Sequence, residues 1–138
     1  MQKFRLVTTE HSQMVNITNQ VREAVRAAGA DSGIAVVFCP HTTAGITLNE
    51  GADPDVVRDI LLRLAELYPR THPQYRHGEG NSAAHLKASA VGSSQMMPVA
   101  GGEIILGRWQ VVYFCEFDGP RERTFFVQVL GKKISTAD

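Results

Sequence analysis

The run Ile34-Ala-Val-Val-Phe-Cys39 constrains the fold more than any other stretch of this chain. It is apolar at every position and rich in β-branched residues, which favours a strand, and it lacks the alternation of a strand with one wet face. The expectation is a central strand covered on both faces. The other elements must then supply a layer on each side of it.

Lys3–Thr9 alternates as a strand with Phe4 and Leu6 on one face, and Met14–Thr18 reads as a second, short strand. Thr18 or Asn19 then caps a helix in which Ile17, Val21, Ala24, Val25 and Ala28 recur at helical spacing, and Gly29 ends it. Ala44–Leu48 continues as a strand after the His41–Thr43 turn. Asp53-Pro54 is a strong helix start, with Asp as N-cap and Pro at the first position. Val56, Ile60, Leu64 and Leu67 mark that helix's buried face, and it stops before Tyr68-Pro69. Arg70–Asn81 is polar and irregular, the longest such segment, and segments of this length in compact domains are usually functional or disordered. Ala83–Ala90 reads as a short helix ended by Gly92. Met96–Val99, Ile104–Leu106, Trp109–Phe117 and Arg123–Leu130 follow as strands, separated at Gly101-Gly102, Gly107 and Asp118-Gly119-Pro120. Residues 134–138 are expected to fray. The order predicts an α+β fold: one compact domain over residues 1–138, with largely antiparallel sheets, two main helices and one short helix.

The chain is 43% hydrophobic and 20% charged over 138 residues, ordinary globular composition and enough for one domain with a core. Its formal net charge of +0 suggests neither a broad nucleic-acid footprint nor an anionic-membrane surface, and leaves room for a local basic pocket. No apolar run approaches the roughly eighteen residues of a membrane span. Met1–Gln13 lacks the apolar centre of a secretory signal, so the expected location is cytoplasmic. Cys39 and Cys115 lie in apolar runs and read as buried reduced thiols, with a disulfide between adjacent strands as the alternative.

Chemistry concentrates in His77–Lys87, HGEGNSAAHLK, which gathers two imidazoles, a carboxylate, an amide, a hydroxyl and an amine around two glycines and runs into a helix. Amides at a glycine turn and at a helix start attract anions. His41 follows the Ile34–Cys39 strand at its carboxyl end, where sites tend to form. His41, His77 and His85 come from separate loops, and three neutral imidazoles with an open position suit zinc. Their spacing matches no zinc signature, so the competing reading is surface or capping histidines with no shared site. His11 and His72 lie in polar stretches and are set aside. Glu50 reads either as a general acid/base near the histidines or as a carboxylate settled by the following helix N-terminus, and Glu79 competes for the first role. Asn81, Ser82 and the amides beyond them could cradle a phosphate, with Lys87 or Arg121 neutralising it; the alternative is that Asn81 or Ser82 simply caps the helix. Trp109 reads as core or subunit interface, Met96-Met97 as gap-filling core, and Arg58, Arg63 and Glu66 as a solvent face. No Gly-x-Ser-x-Gly elbow, Walker loop, dinucleotide fingerprint or paired-cysteine site occurs, which argues against hydrolase, NTPase, dehydrogenase and zinc-ribbon readings.

Three stretches, PHTTAGITLNEGADPDV, HGEGNSAAHLKAS and GGEIILGRWQVVYFCEFDGPRER, together resemble the motifs of the YjbQ family in content and order. Members of that uncharacterised family are also labelled secondary thiamine-phosphate synthase enzymes. The resemblance covers nearly the whole chain. Met97 departs from it, standing where the family usually has a branched aliphatic residue, and methionine is a tolerated core substitute. The resemblance implies an α+β fold, a compact homotrimer, and one polar pocket shared by His41, His77 and His85 with Glu50, Asn81 and Arg121 nearby. For an enzyme it implies joining a pyrimidine diphosphate to a thiazole phosphate. Lys87, Arg121 and a divalent ion would face the leaving group, Asn81 and Ser82 would help to bind it, and Glu50 or His85 would manage protons. The carboxylate-rich motif of magnesium held between phosphates is missing. The alternatives are therefore a metal-dependent hydrolase or lyase, and a non-catalytic trimer that binds a metal or a small phosphorylated metabolite.

Overall fold

The computed structural model describes residues 1–133. It runs β1 (Gln2–Val7), β2 (Gln13–Asn16), α1 (Thr18–Ala28), β3 (Ala30–Phe38), β4 (Ala44–Glu50), α2 (Pro54–Leu67), α3 (Ser82–Val91), β5 (Ser94–Ala100), β6 (Glu103–Ile104), β7 (Gln110–Glu116) and β8 (Glu122–Lys133). The fold is α+β with antiparallel pairing throughout, in two sheets ordered β1-β8-β3-β5-β6 and β2-β7-β4. The segment expected to fray lies outside the described residues.

Alternation along each strand sends half its side chains into one core. Ala35 and Val37 of β3, Met97 and Val99 of β5, and Phe125 and Val127 of β8 meet Ile46 of β4 and Val112 and Phe114 of β7. Val21, Ala24 and Val25 of α1 close this core. The other face of β7 presents Tyr113 and Cys115 to Ala84 and Ala88 of α3, with Val57, Leu61 and Leu64 of α2 packed around them. β7 is therefore the strand covered on both faces. The sequence had pointed to β3 for that place, and β3 departs from it: Ile34 and Phe38, on its second face, are 42% and 43% exposed. Apolar neighbours line the same open face, with Met96 at 65% and Leu130 at 61% exposure.

Asp53 caps α2 as its sequence requires, its carboxylate accepting from the Asp55 amide at 2.9 Å with Pro54 at the helix start. The packed stripe of α2 is Val57, Leu61 and Leu64, and it continues onto half-buried Tyr68, so Leu67 points away and is 59% exposed. Neither Thr18 nor Asn19 caps α1. Asn16 does that work from just outside, its Oδ1 accepting from the Thr18 amide and hydroxyl. Gly29 closes α1 in the left-handed conformation. Trp109 lies outside the core at 54% exposure, and of the methionine pair only Met97 is buried. No described helix is long and apolar enough to cross a membrane.

Candidate functional site

α3 organises the site. Its carboxyl end is pinned to β4, where the Ile46 amide donates to the Gly92 carbonyl at 3.0 Å. Gly45 permits that approach, since a β-carbon there would stand 2.5 Å from the same carbonyl oxygen. The helix thus carries His85 between two clefts. One, of about 510 Å³, is lined by Gln74, Tyr75, Arg76, His77, Ser82, His85 and Leu86. The other, of about 470 Å³, is lined by His41, Thr42, Ala44, His85, Ala88, Ser89, Gly92 and Ser93.

The rings of His77 and His85 meet edge to face with centroids 5.3 Å apart. Two imidazoles on one tetrahedral ion, each nitrogen about 2.0–2.1 Å from the metal, would hold their ring centres about 5 Å apart, so the separation of these ring centres is compatible with a shared ion. His41 stands on the far side of His85. Its Nε2 faces the Thr124 backbone, accepting from the amide at 2.9 Å in one tautomer or donating to the carbonyl, 3.1 Å away, in the other. Only the second tautomer leaves Nδ1 free as a ligand. Burial, then the Arg123 guanidinium, holds the His41 pKa below the ordinary histidine value. Among the described residues no three of the His, Cys, Asp and Glu side chains stand at metal-holding distances. The expected three-histidine centre is not assembled among the described residues; His77 and His85 share one cleft, and His41 shares another with His85.

Two of the four expected anion residues, Asn81 and Arg121, converge on one carboxylate. Asp118 Oδ2 accepts from Asn81 Nδ2 at 3.0 Å and from Arg121 Nη2 at 3.0 Å. Asn81 occupies the N-cap position of α3 without capping it. Its Oδ1 is buried without a partner, and the bond to a carboxylate fixes which end of the amide is the oxygen. Lys87 is 6% exposed, with its ammonium 5.9 Å from the Phe117 ring centre, and it forms no ion pair among the described residues. Burial, then Arg70, lowers its pKa. Ser82 lies half-buried beside His77 and His85.

Glu50 does not join this group. It pairs with Gln110 at the end of β4 opposite Ala44, six residues and roughly 20 Å along the strand. Its Oε2 accepts from the Asp53 amide at 3.2 Å, so it serves the start of α2. Glu79 is exposed on the loop and lines neither cleft.

Several site residues were missed from sequence. His11 lies 3.8 Å from Asp118 Oδ1, and Arg70 shares a small hollow with His77, Gly80 and Ser82. Beneath them Glu116, fully buried, pairs with Arg123, 3% exposed. Arg123 Nη2 also donates to Thr43 Oγ1 at 2.8 Å. Thr8 Oγ1 donates to Glu116 Oε1 at 2.8 Å, and the Asp118 amide donates to Glu116 Oε2 at 3.0 Å. Burial pushes the Glu116 carboxyl up, but the Arg123, Asp118 and Thr8 donors outweigh it and hold the pKa below the ordinary value. The signal for Glu116 was present: Val112, Phe114 and Glu116 alternate, which puts a carboxylate in an inward position.

These features define a small two-sheet α+β protein with a histidine- and cation-lined site around one short helix. The chain belongs to the UPF0047 YjbQ-like family, whose model matches residues 2–132. It is 50% identical over 131 residues to the UPF0047 protein YugU of Bacillus subtilis, covering 95% of this chain and 99% of that one. A UPF0047 protein of Methanocaldococcus jannaschii is 45% identical over 131 residues, covering 95% of this chain and 94% of that one. A crystal structure from Clostridium acetobutylicum, described as an uncharacterised conserved protein of the YjbQ/UPF0047 family, superposes with a TM-score of 0.92 at 52% identity, covering 94% of this chain and all of that one.

Proposed function

We propose that this chain is an enzyme acting on a small phosphorylated metabolite, bound at the amino end of α3 by Asn81, Ser82, Lys87 and Arg121. The observation that carries this reading is Lys87, a residue only 6% exposed whose ammonium forms no ion pair with a carboxylate among the described residues. A buried charge is costly unless paired, so the site favours an anion. Of reactions that use such an anion, the family label points to joining a pyrimidine diphosphate with a thiazole phosphate. There the carbon–oxygen bond breaks with its electron pair leaving on pyrophosphate, and the thiazole nitrogen forms the new carbon–nitrogen bond. Lys87 and Arg121 would stabilise the departing charge, and His85 would exchange protons with the leaving group. Inorganic pyrophosphate should raise the Tm of the wild-type protein, and Lys87→Met should abolish the rise. No rise in the wild type removes the reading. Binding without any product from the two precursors would leave a non-catalytic phosphometabolite-binding protein instead.

A second reading is favoured by the His77–His85 spacing. The two rings would hold a divalent ion, zinc by donor type, with water filling its remaining positions. Such an ion would supply Lewis acidity and activated water, the chemistry of a metal-dependent hydrolase or lyase. Elemental analysis of untagged protein beside the His77→Ala/His85→Ala double variant tests it. Near-stoichiometric zinc lost in the variant supports it, and no metal in either protein refutes it. The apolar face of Ile34, Phe38, Met96 and Leu130 supports the proposed homotrimer, and the free thiols of Cys39 and Cys115 suit a reducing compartment such as the cytoplasm.

A further inference from the structure

The cleft between the segment after β3 and the end of α3 holds a ring that neither reading uses, that of His41. β8 extends beyond its last β3 pair, Phe126 opposite Phe38, and His41 Nε2 takes the vacated place beside Thr124, 2.9 Å from its nitrogen and 3.1 Å from its oxygen. A backbone N–H can only donate, and a buried one is left orphaned more rarely than a carbonyl, which has two lone pairs. Nε2 therefore carries the lone pair, and the ring proton sits on Nδ1. Nδ1 has no hydrogen-bond partner among the described residues and is not sealed from solvent, and its ring lines a cleft of about 470 Å³. The rest of that cleft is uncharged. Thr42, Ser89 and Ser93 are exposed and supply hydroxyls at its rim, while Ala44 and Ala88 are buried and floor it. No Asp, Glu, Lys or Arg lines it. Two backbone bonds tie its walls together: the Ile46 amide donates to the Gly92 carbonyl at 3.0 Å, and the Cys39 amide to the Ser93 carbonyl at 2.8 Å. The cleft is thus preformed, and it falls within the range of small-molecule sites, about 300–1,000 Å³.

We propose that this cleft binds an uncharged, flat amide group, with His41 Nδ1–H donating to its carbonyl oxygen and the rim hydroxyls meeting its N–H groups. Small side chains on the floor leave room for the flat face of such a group, and hydroxyls can accept as well as donate. A carboxylate of the same shape would lose hydration where no cationic side chain lines the wall, so it is disfavoured. His85 lines this cleft and the one that holds His77 and Ser82, so the two adjoin without sharing their charged residues. His41 is then a donor to a ligand, in the tautomer whose Nδ1 cannot hold a metal. The site depends on neither a bound anion nor a bound metal.

Benzamide is the probe, and benzoate its charged counterpart of the same shape. In nitrogen–proton NMR on the full chain, benzamide should shift the backbone amides of Ala44, Ser89 and Ser93 in a saturable way, and benzoate should bind about tenfold more weakly. His41→Gln keeps an amide that can pair with Thr124 and removes Nδ1. It should weaken benzamide about tenfold, the loss of roughly one hydrogen bond, while the Tm stays within a few degrees. If His41 served only to hold Thr124, this variant would bind benzamide as the wild type does. Where the variant does not fold, the ring nitrogens of the wild type decide: at pH about 7.5 Nδ1 should read as protonated and Nε2 as bare. No saturable shift at these amides, equal binding of benzoate, unaltered binding in His41→Gln, or the reverse tautomer would each overturn the proposal.

Discussion

Replacing Arg123 by Met leaves Glu116 fully buried with its carboxylate unpaired, retaining only the Thr8 hydroxyl and the Asp118 amide as donors. Breaking a buried pair from one side costs about 3–5 kcal/mol, a large part of the roughly 5–15 kcal/mol that holds a domain together. The pH dependence separates this cause from lost packing. In the native chain the Glu116 pKa is depressed below 4.5, so its contribution is present above 4.5 and is lost as pH falls through the lower folded value. In the variant the carboxyl is buried without its cation, and its folded pKa rises above the unfolded value. Its penalty is then full well above that raised value and fades as pH falls toward 4.5. Urea unfolding at fixed protein concentration, at pH about 7.5 and about 5.5, should show a deficit that shrinks at the lower pH. Adding Glu116→Leu should recover much of the loss, since an apolar pair can replace a buried ion pair. A deficit under about 1 kcal/mol, or one independent of pH and unrelieved by the second substitution, would refute the reasoning.

Burial pushes the Cys39 thiol up to about 11 and the Cys115 thiol to about 12, so neither should react with a thiol-specific disulfide reagent at neutral pH until the protein is unfolded. Asp53→Ala removes the α2 cap and should cost about 1 kcal/mol, read as a lower denaturation midpoint with an unchanged slope. Phe38→Asp places a charge on the open apolar face. If that face joins subunits, light scattering should report a lower mass while the remaining protein keeps its response to pyrophosphate.

Local signals marked the elements well, because Asp53-Pro54, Gly29 and the Gly101-Gly102 turn act through neighbours in sequence. Which strand is covered twice was not local. The runs at β3 and β7 are both nearly continuous, and the difference is that α2 and α3 pack on one sheet while Ile34 and Phe38 of the other stay open. The site divided in the same way. Asn81, Lys87 and Arg121 were legible as residue types, and the structure gathers Asn81 and Arg121 on Asp118. His11 looked like an exposed residue of a polar stretch because its partner lies 107 positions away, and nothing in its neighbourhood announces Asp118. Glu50 looked close to His41 because only a short strand separates them, yet an extended strand carries its ends far apart.

The buried pair of Glu116 and Arg123 explains how such distant segments hold one arrangement. Glu116 fixes the Asp118 amide, and Asp118 in turn holds Asn81 and Arg121. Arg123 grips Thr43, two residues from His41, and the next residue, Thr124, faces His41 Nε2. One ion pair thus anchors both the Asn81–Asp118–Arg121 cluster and the histidine cleft. Lysine at position 123 would keep the charge but not the planar fork that reaches Glu116 and Thr43 together. A guanidinium is therefore the group this position requires, and the pair's cost in desolvation is offset by the polar groups around it: Thr43 accepts from Arg123, while Thr8 and the Asp118 amide donate to Glu116.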